Sequence, residues 1–467
     1  MTNLGYGAGE PIAAVATALS PAAIGIVRTS GEGCVALVAR LFSRPKALLA
    51  AGGNSLVYGW IVERGADGSI VRRIDEVMLG VYRKPRSFTG EEMVEIYCHG
   101  GIPVVKAILS LLLHSGFRQA ERGEFSFRAY INGKADLTKA EAVKEIIDSK
   151  TDASRGRAAG RLAGALHEKI DALKQTVTEL LASIEVAVEY PEDEETIADS
   201  FDVDALARLQ EELEALLAGW KTERLYQEGA KLVLAGRTNA GKSSLFNALL
   251  KEDRSIVSDV EGTTRDYLEN MLSFDGIPVR IFDTAGIRQT DDPVEGQGVL
   301  RTRALAGEAD LLLYLVDSTK GLCDEDEAFL AASDTPAVLV WNKCDREESL
   351  PLPTPASGGT WSRSVRVSAK TGQGMGDLTA CVKDFLTAGA STDGSAVALG
   401  SGRQRDAVAA ACERLAHAVC TARTGELGLD AVVQDLEDAL DSLGEITGEV
   451  TSDDVLESIF STFCVGK

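Results

Sequence analysis

The pattern of apolar and polar positions changes twice along the chain. Residues 1–120 alternate short β-type apolar runs, at 22–27, 76–82 and 93–97, with turns rich in Gly, Pro and Ser. The stretch "PVVKAILSLLLHSG" has helical periodicity and ends at Gly116. Strands mixed with a helix in this way predict an α+β domain.

Helical periodicity then extends over residues 138–217, with a break at Pro191 and the acidic run 192–195. Over residues 231–387 strands and helices alternate, which predicts a parallel sheet with helical crossovers. After the Gly/Ser-rich linker "STDGSAVALGSG", residues 404–461 are helical again. Helical segments on both sides of an α/β segment predict one helical domain with another domain inserted into it.

Composition adds limits on size and location. At 467 residues, with 45% hydrophobic and 25% charged residues, the chain is a multidomain globular protein. No stretch approaches the ~20 apolar residues of a membrane span, and residues 1–20 lack a signal-peptide pattern. The eight cysteines form no CxxC pair, which argues against a zinc module or a disulfide framework. We therefore expect a cytoplasmic protein without a membrane partner.

The net charge of −23 restricts nucleic-acid binding. Proteins that bind nucleic acid mainly by neutralising phosphates usually carry the opposite charge. A nucleic-acid partner must therefore be held by a local basic surface or through another protein.

The stretch "KLVLAGRTNAGKSSLFNALL" carries the strongest motif. A predicted strand runs into G-x-x-x-x-G-K-S, residues 236–243, and then into a predicted helix, which is the context of a phosphate-binding loop. Backbone N–H groups and the helix N-terminus favour a phosphate there. Lys242 should reach the β- and γ-phosphates, and the Ser243 hydroxyl should ligate Mg²⁺. The predicted contacts of this loop are Asn239, Ala240, Gly241, Lys242, Ser243 and Ser244.

Four further motifs follow in the order typical of a GTPase. "EGTTRD" places Thr264 to complete Mg²⁺ coordination, and "IFDTAG" places Asp283 near Mg²⁺ and the Gly286 N–H near the γ-phosphate. In "NKCD", the Asp345 carboxylate can accept two hydrogen bonds from guanine, a pair that adenine does not offer. "SAK" closes the base site. The predicted GTP contacts in these motifs are Ser258, Asp259, Val260, Glu261, Gly262, Thr263, Thr264, Asp283, Thr284, Ala285, Gly286, Asn342, Lys343, Asp345, Ser368, Ala369 and Lys370.

Two details concern hydrolysis. Ras-like enzymes place a water-orienting glutamine just after the DTAG motif, but here that residue is Ile287, so another group must orient the water. Glu295, in "DDPVEGQG", is a candidate, although a solvated loop carboxylate fits its spacing equally well. The Asn239 amide oxygen could bind a monovalent cation beside the phosphates. That cation would supply the positive charge that an arginine finger otherwise provides.

Four further motifs lie outside the GTPase segment. They are "IGIVRTSG", "SFTGEEMVEIYCHGG" and "GEFSFRAYINGKADLTKAEAV" near the start, and "CVGK" at the end. Together they resemble the MnmE (also TrmE) family of bacterial tRNA-modification GTPases over nearly the full chain. The resemblance implies a folate-binding and dimerisation domain, a discontinuous helical domain and an inserted Ras-like G domain, within a multidomain α/β fold. The implied folate-binding and dimerisation domain is residues 1–133, and the implied G domain is residues 229–389. The two parts of the helical domain are residues 134–228 and 390–467, which includes the C-terminal CVGK tail.

The implied reaction is GTP-dependent addition of an aminomethyl or carboxymethylaminomethyl group to carbon 5 of the wobble uridine of certain tRNAs. The resemblance implies K⁺ and Mg²⁺, a homodimer, a one-carbon donor (5-formyl- or 5,10-methylene-tetrahydrofolate) and the flavoprotein partner MnmG, which carries FAD. One alternative is a ribosome-assembly GTPase acting as an RNA-binding switch. Such proteins append a basic RNA-binding module, whereas this chain ends in an acidic helical segment without a GXXG clamp. Another alternative is an autonomous folate-dependent methyltransferase with an incidental G domain.

Residue roles follow from the same resemblance. It implies folate contacts at Arg28, Glu95, Lys134 and Lys467, and K⁺ ligands at Asn239, Ser258, Val260 and Thr263. It assigns Glu295 to orienting water and matches Arg288 to a second-switch arginine. Lys242, Thr264 and Gly286 of the GTPase motifs are the other predicted catalytic groups. The phosphate loop departs from the family pattern, because Thr238 replaces a proline. The last four residues, which alone could be a frayed end or a lipidation signal, should return to the N-terminal domain as part of its site.

Overall fold

A computed structural model of the chain describes residues 9–189, 202–251, 269–274, 276–283, 307, 309–354, 361–387, 397–424 and 429–467. Contacts between residues divide the chain into two units. The first unit is Met1–Lys144 with Leu440–Lys467, and the second is Glu145–Ala439. The domain boundaries at 134, 229 and 390 stay predictions. No helix in the described part of the chain has the length and apolar character needed to cross a membrane.

The first unit is built on a six-stranded sheet in the order β3-β4-β5-β2-β1-β6. Its strands are β1 (Ile12–Val15), β2 (Ala22–Ser30), β3 (Ser55–Arg64), β4 (Ile70–Tyr82), β5 (Met93–Gly100) and β6 (Arg118–Gln119). Neighbouring strands are antiparallel, except that β6 runs parallel to β1. The three apolar runs of the sequence lie in β2, β4 and β5, so the α+β prediction is confirmed.

The two faces of this sheet have different roles, because successive side chains of a strand point to opposite faces. Val27 of β2 and Ile96 of β5 join a core with helices α1 (Cys34–Arg40), α2 (Pro45–Ala50) and α3 (Ile102–Leu113). Their sequence neighbours Arg28 and Glu95 therefore face the other side. The helix predicted to end at Gly116 is α3, which ends at Leu113.

The C-terminal tail, residues 464–467, is held against this first unit. Helix α4 (Glu124–Ile131) packs on the last helix, Asp453–Ser461, and the rings of Phe127 and Phe460 meet edge to face at 5.5 Å. Beyond that helix, Val465 forms an antiparallel bridge with Arg122. The expectation that the tail returns to the N-terminal domain is confirmed, and this tail is not a frayed end.

The second unit combines helices with an α/β segment. Its helical part includes α5 (Leu137–Asp148, which continues from the first unit), α6 (Asp152–Ala163), α7 (Ala165–Glu189), α8 (Val203–Glu228), α12 (Gly402–Thr424) and α13 (Leu429–Thr447, which ends in the first unit). Helix α12 follows the α/β segment in sequence but packs on α8, which precedes it. The helical part is therefore discontinuous in sequence, as predicted. Arg161, buried on α6, forms ion pairs with Glu145 (2.6 Å) and Glu223 (2.7 Å) and ties α5, α6 and α8 together.

The α/β segment has a six-stranded sheet in the order β12-β11-β10-β7-β9-β8. The elements are β7 (Ala230–Gly236), α9 (Lys242–Lys251), β8 (Glu269–Phe274), β9 (Ile277–Asp283), β10 (Leu311–Asp317), α10 (Asp324–Ala331), β11 (Ala337–Asn342), β12 (Arg363–Arg366) and α11 (Met375–Leu386). Five strands are parallel, as predicted, but β8 is antiparallel to β9. The difference has a local cause: a tight turn with Gly276 at φ +91° joins these two strands, and a connection this short allows only an antiparallel pair.

Gly466→Ala tests whether a close backbone approach holds the tail. Gly466 has φ +93°, and an added Cβ would lie 2.4 Å from the carbonyl oxygen of Val15. We therefore expect the tail to leave its place and its amides to exchange roughly tenfold faster, measured by hydrogen exchange with mass spectrometry. Gly68→Ala is the matched control, because its φ is +81° but an added Cβ would meet nothing within 4 Å. Unchanged exchange of the tail in Gly466→Ala would show that this approach does not hold it.

Candidate functional site

The phosphate-binding loop lies between the end of β7 and the start of α9. Gly236 and Gly241 have φ of +133° and +101°. A Cβ would lie 2.3 Å from the Leu315 carbonyl oxygen at Gly236, and 2.2 Å from the Asn342 Nδ2 atom at Gly241. Both positions therefore require glycine, and the predicted strand, loop and helix are present.

Lys242 is the first residue of α9, and its ammonium folds back over the loop. Its Nζ donates hydrogen bonds to the carbonyl oxygens of Gly236 (2.7 Å) and Arg237 (2.9 Å). The positive charge thus lies at a helix N-terminus, where backbone N–H groups also favour an anion. This arrangement suits a phosphate. Ser243, the next residue, has an exposed side chain whose hydroxyl oxygen is a donor of the kind that Mg²⁺ prefers.

Asn342 joins three of the predicted motifs. It ends β11 and is 2% exposed. Its Nδ2 atom donates to the carbonyl oxygen of Ala240 (2.8 Å), and its Oδ1 atom accepts from the backbone N–H of Ala369 (3.1 Å). One side chain therefore holds the NKCD motif, the phosphate loop and the SAK motif in a fixed relation.

Lys343 makes a second link from the base motif to the phosphate loop. Its Nζ donates to the carbonyl oxygen of Asn239 (2.7 Å) and to the Oδ2 atom of Asp317 (2.6 Å). Lys343 and Asn239 both adopt left-handed backbone conformations, with φ of +66° and +65°. These conformations are uncommon for residues with a side chain, and the shared hydrogen bond helps to hold both of them.

Asp317 is a functional residue that sequence reasoning missed. Burial raises the pKa of this carboxyl, but hydrogen bonds from Lys343 and Thr319 outweigh burial and leave the pKa below its usual range. The side chain is therefore ionised and balances the Lys343 ammonium. The sequence did offer one signal for Asp317: it directly follows the apolar residues of β10. Ligand sites of parallel sheets lie at the carboxyl ends of the strands.

The base-reading carboxylate is held by its neighbour motif. The Ser368 hydroxyl donates to the Oδ1 atom of Asp345 at 2.7 Å, and this hydrogen bond lowers the pKa of Asp345. Ser368 is buried and its Oγ atom accepts from the backbone N–H of Thr371 (3.2 Å), which fixes the direction of its proton. Asp345 is thus an oriented, ionised acceptor, as recognition of the guanine edge requires.

Several predicted site residues lie outside the described residues. They are Ser258, Asp259, Val260, Glu261, Gly262, Thr263, Thr264, Thr284, Ala285, Gly286, Arg288 and Glu295. Asp283 ends β9, next to β7 in the sheet, and its side chain is outside the description too. Their predicted roles stay predictions. Of the predicted K⁺ ligands, Asn239 is described, and its side chain is exposed.

A second cluster lies on the face of the first unit's sheet opposite α1, α2 and α3. Arg28 contacts the Oε1 atom of Glu95 through Nε (2.9 Å) and through a terminal nitrogen (2.8 Å). The Oε2 atom of Glu95 accepts from the hydroxyls of Tyr97 (2.7 Å) and Tyr82 (3.3 Å). Burial, together with these neighbours, raises the pKa of Tyr97 above its usual range, so this hydroxyl stays a donor. All four acceptor positions of Glu95 are in use.

The predicted folate residues are brought together only in part. Arg28 donates to the carbonyl oxygen of Gly466 (3.4 Å), so the tail lies beside the Arg28–Glu95 pair. Burial, followed by the charge of Arg28, lowers the pKa of the Lys467 ammonium. Lys134 is exposed, and no contact among the described residues joins it to the pair; its side chain lies beside Gly90.

Comparison with known proteins covers nearly the whole chain. A family model described as the GTP-binding protein TrmE N-terminus matches residues 11–134, and one described as the MnmE helical domain matches residues 137–464. A tRNA modification GTPase MnmE of Treponema denticola is 49% identical over 472 aligned residues, covering 99% of both chains. The proteins of that name from Treponema pallidum (strain Nichols) and Carboxydothermus hydrogenoformans are 43% and 40% identical, over 99% and 98% of this chain.

The nucleotide site and the Arg28–Glu95 cluster thus both lie in a chain that matches one family over nearly its whole length. The chain belongs to the MnmE (TrmE) family of tRNA modification GTPases.

Proposed function

We propose that this protein is a K⁺-stimulated GTPase that adds an aminomethyl or carboxymethylaminomethyl group to carbon 5 of the wobble uridine of certain tRNAs. The flavoprotein MnmG is the proposed partner, and a tetrahydrofolate is the one-carbon donor. The observation that carries the nucleotide part is the Asp345 carboxylate, which accepts a hydrogen bond from the Ser368 hydroxyl (2.7 Å) that lowers its pKa. The tRNA part rests on relatives that are named tRNA modification GTPases and align over 99% of the chain.

Within this proposal the described residues bind and orient GTP. Lys242 and the N-terminus of α9 hold the phosphates, Ser243 holds Mg²⁺, and Asp345 selects guanine. When bound by Ser243 and Asn239, Mg²⁺ and K⁺ would supply positive charge that stabilises the negative charge of the phosphates. Thr264, Gly286 and Glu295 complete the proposed site, with Glu295 orienting the attacking water. Because Lys343 of the base motif binds the carbonyl of Asn239, that motif also steadies the proposed K⁺ ligand.

The first unit is the proposed folate site. The Arg28 guanidinium and the Lys467 ammonium are cations of the kind that bind the glutamate tail of a folate. Glu95 already accepts from Arg28, Tyr97 and Tyr82, so an amino-pyrimidine donor must displace one of them. The Tyr82 bond, at 3.3 Å, is the longest of the four and is the one we expect to be exchanged.

We further propose that the protein is a homodimer in the cytoplasm, joined through the first unit. The supporting observation is a set of large apolar side chains on strands of the sheet face opposite the helices. Ile24 is 60% exposed, Tyr58 53% and Met78 43%. A second copy of the chain would remove these side chains from water.

Mass analysis of wobble uridines is the experiment that tests the proposed function. In cells that lack this protein, we expect the modified wobble uridines of its tRNA substrates to be replaced by unmodified uridine or by a precursor. Re-expression of the intact chain should restore them. Unchanged wobble uridines, together with accumulated immature ribosomal subunits, would instead favour the ribosome-assembly alternative.

Exchange of K⁺ for Na⁺ tests whether a K⁺ ion bound at Asn239 accelerates GTP hydrolysis. At equal ionic strength we expect GTP hydrolysis to be at least about tenfold faster in K⁺, because the ion would supply charge otherwise given by an arginine finger. Asn239→Ala should hydrolyse slowly in both salts. Equal rates of the parent protein in K⁺ and Na⁺ would contradict the role of Asn239.

Asp317→Asn tests the support of the base site. The substitution keeps the shape of the side chain but removes the charge that balances Lys343, so we expect GTP affinity to fall roughly tenfold. A titration with a fluorescent GTP analogue measures it. Asp324→Asn, at an exposed position on α10, is the matched control. If both variants bind GTP like the parent, the Asp317–Lys343 pair does not support the base site.

A further inference from the structure

A basic loop borders the Arg28–Glu95 pair. Residues 83–92 connect β4 to β5, and within them Lys84, Arg86 and Phe88 are exposed. We call these three residues the basic rim. Phe88 is 41% exposed, and the Arg28 guanidinium lies 5.4 Å from the centre of its ring. The rim therefore adjoins the proposed folate site directly.

The carboxylates of this loop and of the pair beside it are ion-paired: Glu92 with Arg83 (2.7 Å) and Glu95 with Arg28 (2.8 Å). Glu91 pairs with Arg128 (3.0 Å), which it shares with Glu124. By contrast, no carboxylate of the described residues lies within ion-pair distance of Lys84 or Arg86. Lys134, whose side chain lies beside Gly90, adds a further exposed cation. The result is a local positive surface on a chain whose net charge is −23.

Phe88 gives this positive surface an aromatic platform. The Arg28 guanidinium lies over the rings of Phe88 and Phe125, at 5.4 and 5.7 Å from their centres. These cation–π contacts anchor the Phe88 ring while a large part of its surface stays exposed. An exposed aromatic ring beside unpaired cations is the arrangement with which proteins bind single-stranded RNA, by stacking a base and by contacting phosphates.

We propose that the basic rim is the RNA contact of this site. Lys84 and Arg86 bind phosphates of the anticodon loop, and Phe88 stacks on one of its unpaired bases. The proposal rests on the proposed function and deepens it: the target uridine has to reach a one-carbon donor held beside Arg28, so the flanking nucleotides must pass over the rim. The γ-glutamyl tail of a folate is another anionic ligand, and the test separates it from RNA.

The main variant is the double charge reversal Lys84→Glu/Arg86→Glu in the full-length protein. The probes are an unmodified tRNA transcript with uridine at the wobble position and its isolated anticodon stem-loop. Over a series of KCl concentrations, we expect roughly tenfold weaker binding of both RNAs. The slope of log affinity against log salt should fall by about 1.4, which is about 0.7 for each lost contact to a single strand.

The matched control is Lys46→Glu/Lys106→Glu. These exposed lysines lie on α2 and α3, across the sheet from Arg28, and this variant changes the net charge by the same amount. It should keep the affinity and the salt slope of the parent. Phe88→Leu separates stacking from charge: we expect severalfold weaker RNA binding with an unchanged salt slope. Thermal unfolding and GTP hydrolysis show whether each variant is folded.

Two outcomes would overturn the proposal. The first is an unchanged RNA affinity and salt slope in the rim variant, and the second is an equal loss in the control variant. If unchanged RNA binding is accompanied by weaker binding of a polyglutamyl folate but not of a monoglutamyl folate, the rim is assigned to the folate tail. Failure of the proposed function would instead appear as unchanged wobble uridines in cells that lack the protein, so the two failures are distinguishable.

Discussion

The Lys343 ammonium is the contact on which the nucleotide site depends. It binds the carbonyl oxygen of Asn239 in the phosphate loop and the carboxylate of Asp317 at the end of β10. Its part-buried hydrogen bond to the charged Asp317 carboxylate contributes about 1.5–3 kcal/mol. The ammonium connects three segments that come together only when β7, β10 and β11 lie side by side. Base recognition and phosphate recognition are therefore properties of one packed sheet edge.

In the first unit, too, a site is held by a contact between distant segments, here separated by a much longer stretch of chain. Arg28 and Gly466 are 438 residues apart in sequence and share a hydrogen bond. Gly466 fits against Val15 because it has no side chain, and the Phe127–Phe460 contact brings the preceding helix to this place. The first unit is therefore completed by residues from both ends of the chain.

Sequence reasoning succeeded where the determinants are local. The phosphate loop was predictable because its glycines, Lys242 and Ser243 lie within eight consecutive residues, between a strand and a helix. Asp317 was missed because its partner Lys343 is 26 residues away and a single aspartate after an apolar strand has no distinctive pattern. The satisfied acceptors of Glu95 also could not be read from sequence, since Tyr82 reaches it across the sheet. The place of the tail was predictable only from the family resemblance.

The acidic composition and an RNA substrate are compatible once local pairing is considered. Charges separated by more than about 8 Å are largely screened at physiological ionic strength. The sign of the potential at a surface is therefore set by its nearest groups, and around the basic rim those groups are paired carboxylates with Lys84 and Arg86 beside them. Arg28 has two roles in this arrangement: it neutralises Glu95 and it anchors the ring of Phe88. If the basic rim is the RNA contact, as proposed, an otherwise acidic chain avoids indiscriminate binding to nucleic acid and confines RNA contact to that surface.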